Sequence, residues 1–209
     1  AETCKPLFDP NHWVEAPKPK LLDSIYQRED LSIPTLLNEE PVFDAANVIK
    51  HNNDLLYLVS NTGNKAGAEW LQKFCGDQGW SDYRVHTAEN VYAYIHIDTT
   101  FVFLRENTVL INPHRVNWRN LPEFLSRIDI IWAPEPYPTQ VLDKWCPASP
   151  WLGMNILPIN SKQVMVEKNQ ILLMRELEKN DFEPIPVQMR HARTFSGGPH
   201  CVTLDVVRG

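Results

Sequence analysis

The stretch Ser196-Gly197-Gly198-Pro199-His200-Cys201-Val202-Thr203-Leu204-Asp205 puts a cysteine behind a glycine-padded turn, at the first position of a predicted apolar strand. Glycines there let the backbone take positive φ and let a ligand come close, and an adjacent histidine makes the neighbourhood electropositive when protonated. The pattern suits a nucleophile, and it equally suits a small buried hydrophobe. A free thiol, with a pKa of about 8.5, is only a few per cent thiolate at neutral pH. Cys201 therefore needs a cation nearby, either a histidinium or a guanidinium substrate.

His96 and Asp98 are two residues apart on a strand predicted over 94–103, which points both side chains to one face. Asp44 stands among apolar neighbours, where an unpaired carboxylate is costly, and His96 is its expected partner. A thiol, a histidine and two carboxylates suit covalent attack on a cationic carbon. A cysteine hydrolase of neutral acyl substrates would need an oxyanion hole and a third orienting residue instead. Arg115, in Asn112-Pro113-His114-Arg115, could grip a substrate carboxylate bidentately or be a solvated loop arginine. Ser149 and Asn155, in Ala148-Ser149-Pro150-Trp151-Leu152-Gly153-Met154-Asn155, could hydrogen-bond a ligand or serve turn chemistry. Cys4, Cys75 and Cys146 have no comparable acid or base nearby and read as structural.

These residues need elements that bring them together over a separation of more than a hundred positions. From residue 41 one pattern appears three times: strand, tight polar turn, strand, helix, strand. The helices are predicted near 65–74, 121–127 and 171–179, and the turns at Asn52-Asn53, Glu106-Asn107 and Asn160-Ser161. A last strand, 200–207, opens a fourth unit. A ββαβ unit of this length cannot bury its own sheet faces and must stack on its neighbours, which predicts an α/β fan of blades. In such a fan the first strand of each blade lies nearest the axis. Asp44, His96 with Asp98, Asn155 and Cys201 all fall on predicted first strands. Residues 1–40 are proline-punctuated, with one short helix at 21–28, and form a connecting segment; residues 41–209 form one domain of repeats. Trp13 and Tyr26 read as packing residues.

The totals narrow the ligand. With 209 residues and 43% hydrophobic composition, one core of ordinary size is expected. A net charge of −6 and no run of lysine or arginine exclude nucleic acid or a polybasic membrane contact as the main partner. The expected partner is a small molecule. No apolar run reaches the length of a membrane span, and the four scattered cysteines show neither a zinc nor a disulfide pattern, which suits a reduced, cytoplasmic chain. The start, Ala1-Glu2-Thr3-Cys4-Lys5, has no signal h-region and no initiator methionine, so the chain reads as trimmed or as a piece of something longer.

The motifs together carry a resemblance. Ala16-Pro17-Lys18-Pro19, Phe43-Asp44-Ala45-Ala46, Gly67-Ala68-Glu69-Trp70, Tyr83-Arg84-Val85-His86, His96-Ile97-Asp98-Thr99-Thr100-Phe101, Asn112-Pro113-His114-Arg115, Trp151-Leu152-Gly153-Met154-Asn155 and Gly197-Gly198-Pro199-His200-Cys201 stand in the order and near the spacing of the amidinotransferases. The chain thus resembles the arginine:glycine and arginine:inosamine-phosphate amidinotransferase family of the guanidino-modifying pentein superfamily. The resemblance implies a pentein-type α/β-propeller of five blades, of which three units and one closing strand are visible. The N-terminal blades, with an Arg-Asp motif, would be missing or come from another chain, and a homodimer is the alternative expectation for the assembly.

It also implies Cys201 as nucleophile, His96 as general acid and base, Asp44 as its orienting carboxylate and Asp98 on the guanidinium. Arg115 and Ser149 match positions that contact substrate. Ala148 stands where a second serine is usual, Gly153 departs from the pattern, and Asn47 replaces a more frequent aspartate. The implied activity moves the amidino group of arginine through an amidino-cysteine to an acceptor amine and releases ornithine, with no metal or organic cofactor. An arginine-binding module without turnover and a deiminase-like hydrolase are the alternatives. The family also has mitochondrial members.

Overall fold

The structure, a computed structural model of the chain, describes residues 6, 9, 14–20, 36–89, 91, 95–137, 148–189 and 196–203. The predicted helix 21–28, Trp13, Tyr26, Cys4, Cys146 and the end of the last predicted strand, residues 204–207, lie outside them.

Three three-stranded sheets follow one another with one topology. In the first, β1 (Val48–His51) turns at Asn52-Asn53 into antiparallel β2 (Asp54–Leu58). Asn52 has φ 53°, the left-handed conformation that asparagine tolerates in tight hairpin turns. Helix α1 (Lys65–Asp77) then carries the chain back so that β3 (Arg84–Ala88) runs parallel to β2, a pairing that requires a crossover. Asn64 caps α1, its Oδ1 accepting from the Gly67 N–H at 2.8 Å. Gly67 lets the helix approach the sheet, since a Cβ there would lie 2.6 Å from the Tyr57 hydroxyl.

The second unit is β4 (Phe101–Arg105), β5 (Thr108–Ile111) and β6 (Asp129–Trp132). A 3-10 helix, Glu123–Arg127, stands where a longer helix from 121 is predicted. Pro122 explains the difference, because it restricts the residue before it and cannot donate. The third unit is β7 (Leu157–Pro158), β8 (Gln163–Glu167), α2 (Ile171–Lys179) and β9 (Glu183–Val187). Pro184 and Pro186 sit two apart on edge strand β9, so their missing donors face away from β8.

The middle sheet is apolar on both faces, and its alternation divides two cores. Phe101, Val109 and Ile111 join Leu56, Leu58, Ala88 and Leu125 in the first core. Val102, Leu104, Leu110 and Ile131 join Val164, Val166, Leu173 and Leu177 in the second. Successive strand residues point to opposite faces, so one sheet serves both neighbours. Stacked ββαβ units are what the repeat predicts. Among the described residues no helix is long and apolar enough to cross a membrane.

The chemistry-bearing residues, however, do not lie on the first strands. Asp44 is the N-cap of a 3-10 helix, Ala45–Asn47, that precedes β1. His96 and Asp98 lie in the bends and turn before β4, where Thr100 and Phe101 donate to the Ile97 carbonyl at 2.8 and 3.1 Å. Asn155 is the C-cap of a 3-10 helix, Pro150–Met154, before β7. Cys201 sits in a turn rather than at the start of a strand. Short polar side chains that bond nearby backbone compete with extended pairing, which is why each first strand starts later than its hydrophobic pattern suggests.

Leu56 is fully buried in the first core. Leu56→Ala should lower unfolding free energy by about 2–5 kcal/mol, read as a lower urea midpoint with an unchanged slope; unaltered stability would show that the two sheets do not pack here.

Candidate active site

The turns before β4 and β7 and the turn at 196–202 enclose a cavity of about 420 Å³, in the range that holds one small ligand. His96, Asp98, Arg115, Ser149, Asn155 and Cys201 all line it. Six of the seven residues singled out from the sequence therefore share one space, and Asp44, the seventh, stands behind His96.

Asn155 and Asp98 organise the thiol. Asn155 Nδ2 donates to Asp98 Oδ2 at 2.6 Å and to Cys201 Sγ at 3.1 Å, while Asn155 Oδ1 accepts from the Cys201 N–H at 3.1 Å. Both Nδ2 protons and the carbonyl are used, so the amide has one orientation. Cys201 Sγ also lies 3.5 Å from Asp98 Oδ2, to which the thiol donates. His200 Nδ1 is 3.5 Å from the same oxygen. Burial first, then the Asp98 charge, push the Cys201 thiol above its ordinary range, against the hydrogen bonds from Gly198 and Asn155. The cation that the sequence leads one to expect is not among the hydrogen-bond partners of Sγ; a carboxylate is. Cys75, the other free cysteine among the described residues, is buried in the packing of α1.

The glycines before Cys201 act through close approach rather than positive φ. A Cβ at Gly198 would lie 2.6 Å from the Asn155 carbonyl oxygen, and one at Gly197 would lie 3.2 Å from Cys201 Cβ. The left-handed residue is Ser196, at φ 57°. Its hydroxyl is buried in the wall of the cavity, without a hydrogen-bond partner among the described residues.

His96 Nε2 donates to Asp44 Oδ2 at 3.2 Å. That hydrogen bond raises the His96 pKa, burial opposes it, and the charges of Asp44 and Asp98 add to the rise. A histidine whose pKa is raised by a carboxylate partner is suited to taking and returning a proton.

Arg115 is pinned rather than solvated. Its Nη1 donates to the Thr99 carbonyl at 3.1 Å and to the Thr99 and Thr100 hydroxyls at 2.8 Å each, and its Nη2 donates to Ser149 Oγ at 3.0 Å. Asn112 Nδ2 supports the same Thr99 carbonyl at 3.0 Å. Burial lowers the guanidinium pKa to about 10, with Asp98 opposing, so the group stays charged at neutral pH. Among the described residues, no hydrogen-bond partner is seen for its Nε or for the second Nη2 proton. Thr99 and Thr100 belong to a motif legible in the sequence, yet a hydroxyl that serves an arginine fifteen residues away has no local pattern. Ile95, Pro150 and Leu152 form an apolar wall beside Ala148.

No family model matches the chain. It is 44% identical over 198 residues to an inosamine-phosphate amidinotransferase 1 of Streptomyces griseus, covering 95% of this chain and 56% of that protein. It is 34% identical over 209 residues to an L-arginine:L-lysine amidinotransferase of Pseudomonas savastanoi pv. phaseolicola, covering 94% of this chain and 54% of that protein. The solved structure of an inosamine-phosphate amidinotransferase from Streptomyces griseus superposes with a TM-score of 0.87 at 44% identity, covering 92% of this chain and 54% of the other. The chain spans about half the length of the curated relatives it matches. In sequence and in fold alike, close homologues of the chain are amidinotransferases, matched over more than nine-tenths of its own length.

Proposed function

We propose that this chain is the thiol-bearing catalytic unit, residues 41–209, of an amidinotransferase that takes the amidino group from arginine. The observation that carries the reading is the Cys201–Asn155–Asp98 cluster, in which a buried carboxylate lies 3.5 Å from a thiol inside a cavity of small-molecule size. Asp98 binds the guanidinium and Arg115 takes the carboxylate of the donor, with Ser149 and Asn155 holding Arg115 and the thiol in place. The L-arginine in the name of the Pseudomonas relative supports that donor. Its acceptor and that of the Streptomyces relative are both amines by name, which supports an amine acceptor here.

The raised thiol pKa fits the donor's charge. A carboxylate beside Sγ holds the proton on until a cation arrives, and a guanidinium at Asp98 reverses that field. Sγ then attacks the central guanidinium carbon and the C–S bond forms. The C–N bond to the ornithine nitrogen breaks, and the thiol proton reaches that nitrogen through His96, oriented by Asp44. The acceptor amine attacks the amidino-thioether, gives its proton to His96, and the thiol is restored.

Two measurements check this reading. Alkylation of Cys201 by iodoacetamide, followed by peptide mass, should show a rate midpoint above the usual thiol range, moved down in Asp98→Asn because a negative neighbour is lost; an unmoved midpoint would contradict the field argument. Incubation with L-arginine and inosamine phosphate, lysine or glycine should release ornithine in step with one amidinated acceptor, and Cys201→Ala should release none. Citrulline as the product would make the protein a hydrolase, and calorimetric binding of arginine without turnover would make it a binding module.

A further inference from the structure

Asn47 is fully buried and uses both ends of its amide. Its Oδ1 accepts from the Asp44 N–H at 3.0 Å and from Thr62 Oγ1 at 3.3 Å. Its Nδ2 donates to Ser60 Oγ at 3.0 Å and to the Ile95 carbonyl at 3.1 Å, with the Leu58 carbonyl at 3.5 Å. One side chain thus touches the backbone of Asp44 and the residue before His96. A carboxylate of the same shape would keep the first contact and lose the second, because it has no proton to donate.

The rest of the turn completes the grip. Asp44 Oδ1 accepts from the Ala46 N–H at 2.8 Å, leaving Oδ2 for His96. The Ala46 carbonyl accepts from the Ile97 N–H at 3.0 Å. The peptide groups on both sides of His96 are therefore held by residues 46 and 47, while residue 44 takes its ring. Ser60 Oγ adds a 2.6 Å bond to the Ile95 carbonyl. Gly63 makes room for the amide, since a Cβ there would lie 2.7 Å from Asn47 Cγ.

We infer that Asn47 is a positioning residue, which fixes the His96 ring against Asp44 by clamping the backbone of both to one 3-10 turn. The inference rests on the reading of His96 as the group that moves the proton. Asp98 has its own anchor in Asn155, so loss of the clamp acts on the proton-transfer pair more than on guanidinium binding.

The test is Asn47→Ala, a neutral change that introduces no charge near His96, whose charged neighbours are Asp44 and Asp98. In the folded variant, the His96 ring titration followed by NMR should move down toward the ordinary histidine value. For arginine, kcat should fall roughly tenfold or more, part of the ~10²–10⁴ that a positioned acid–base group supplies, with KM little changed. Ser60→Ala removes a hydroxyl bridging Asn47 and Ile95 and should shift the titration in the same direction by less, which keeps the test decisive where Asn47→Ala does not fold. An unmoved His96 midpoint overturns the inference. A downward shift in a protein that shows no amidino transfer at all leaves the clamp standing and removes only the proposed function.

Discussion

The buried carboxylate of Asp98 is the constraint on which the site depends. An ionised carboxylate out of water is costly unless donors surround it. Here a single oxygen, Oδ2, is faced by the Asn155 amide at 2.6 Å, the Cys201 thiol at 3.5 Å and His200 Nδ1 at 3.5 Å. Each of those donors comes from a segment distant in sequence, so the carboxylate can be satisfied only when the second and third units and the 196–202 turn are assembled. Burial first, and then the same charge, hold the proton on the thiol. In the proposed reaction a guanidinium is both the substrate and the missing counter-charge, and the resting thiol is spared reaction with other electrophiles.

The scaffold meets this constraint through a middle sheet with two apolar faces. Phe101, Val109 and Ile111 bind it to the first unit, and Val102, Leu104 and Leu110 to the third. The strands carry the buried apolar side chains, while the polar groups of the site sit on the turns that lead into them. That division lets turns carry unusual backbone without disturbing the cores. Arg115 illustrates the gain: it rises from the end of β5 and is locked by hydroxyls from the turn before β4 and by Ser149 from before β7.

Much of this was legible in the sequence, and the failures have physical causes. The ββαβ repeat follows from hydrophobic alternation, and it brings the turns before β4, with His96 and Asp98, and before β7, with Ser149 and Asn155, to one cavity that Arg115 and Cys201 also line. Asp44, His96, Asp98, Asn155 and Cys201, expected on strands, lie in caps, bends and turns instead, because an apolar run continues into turns whose polar side chains bond the local backbone. Pro122 turned a predicted helix into a 3-10 helix. Asn47, Ser60, Thr99 and Thr100 have no local signature of their place around the site, since the partners that place them lie 13 to 48 residues away in sequence.

Peptide mapping of the protein after brief incubation with arginine labelled at the guanidino carbon tests the central claim most directly. One labelled amidino group should be found on the peptide containing Cys201, and it should be lost when an acceptor amine is added. Label on another residue, or turnover to ornithine with no label ever held at Cys201, would contradict the account.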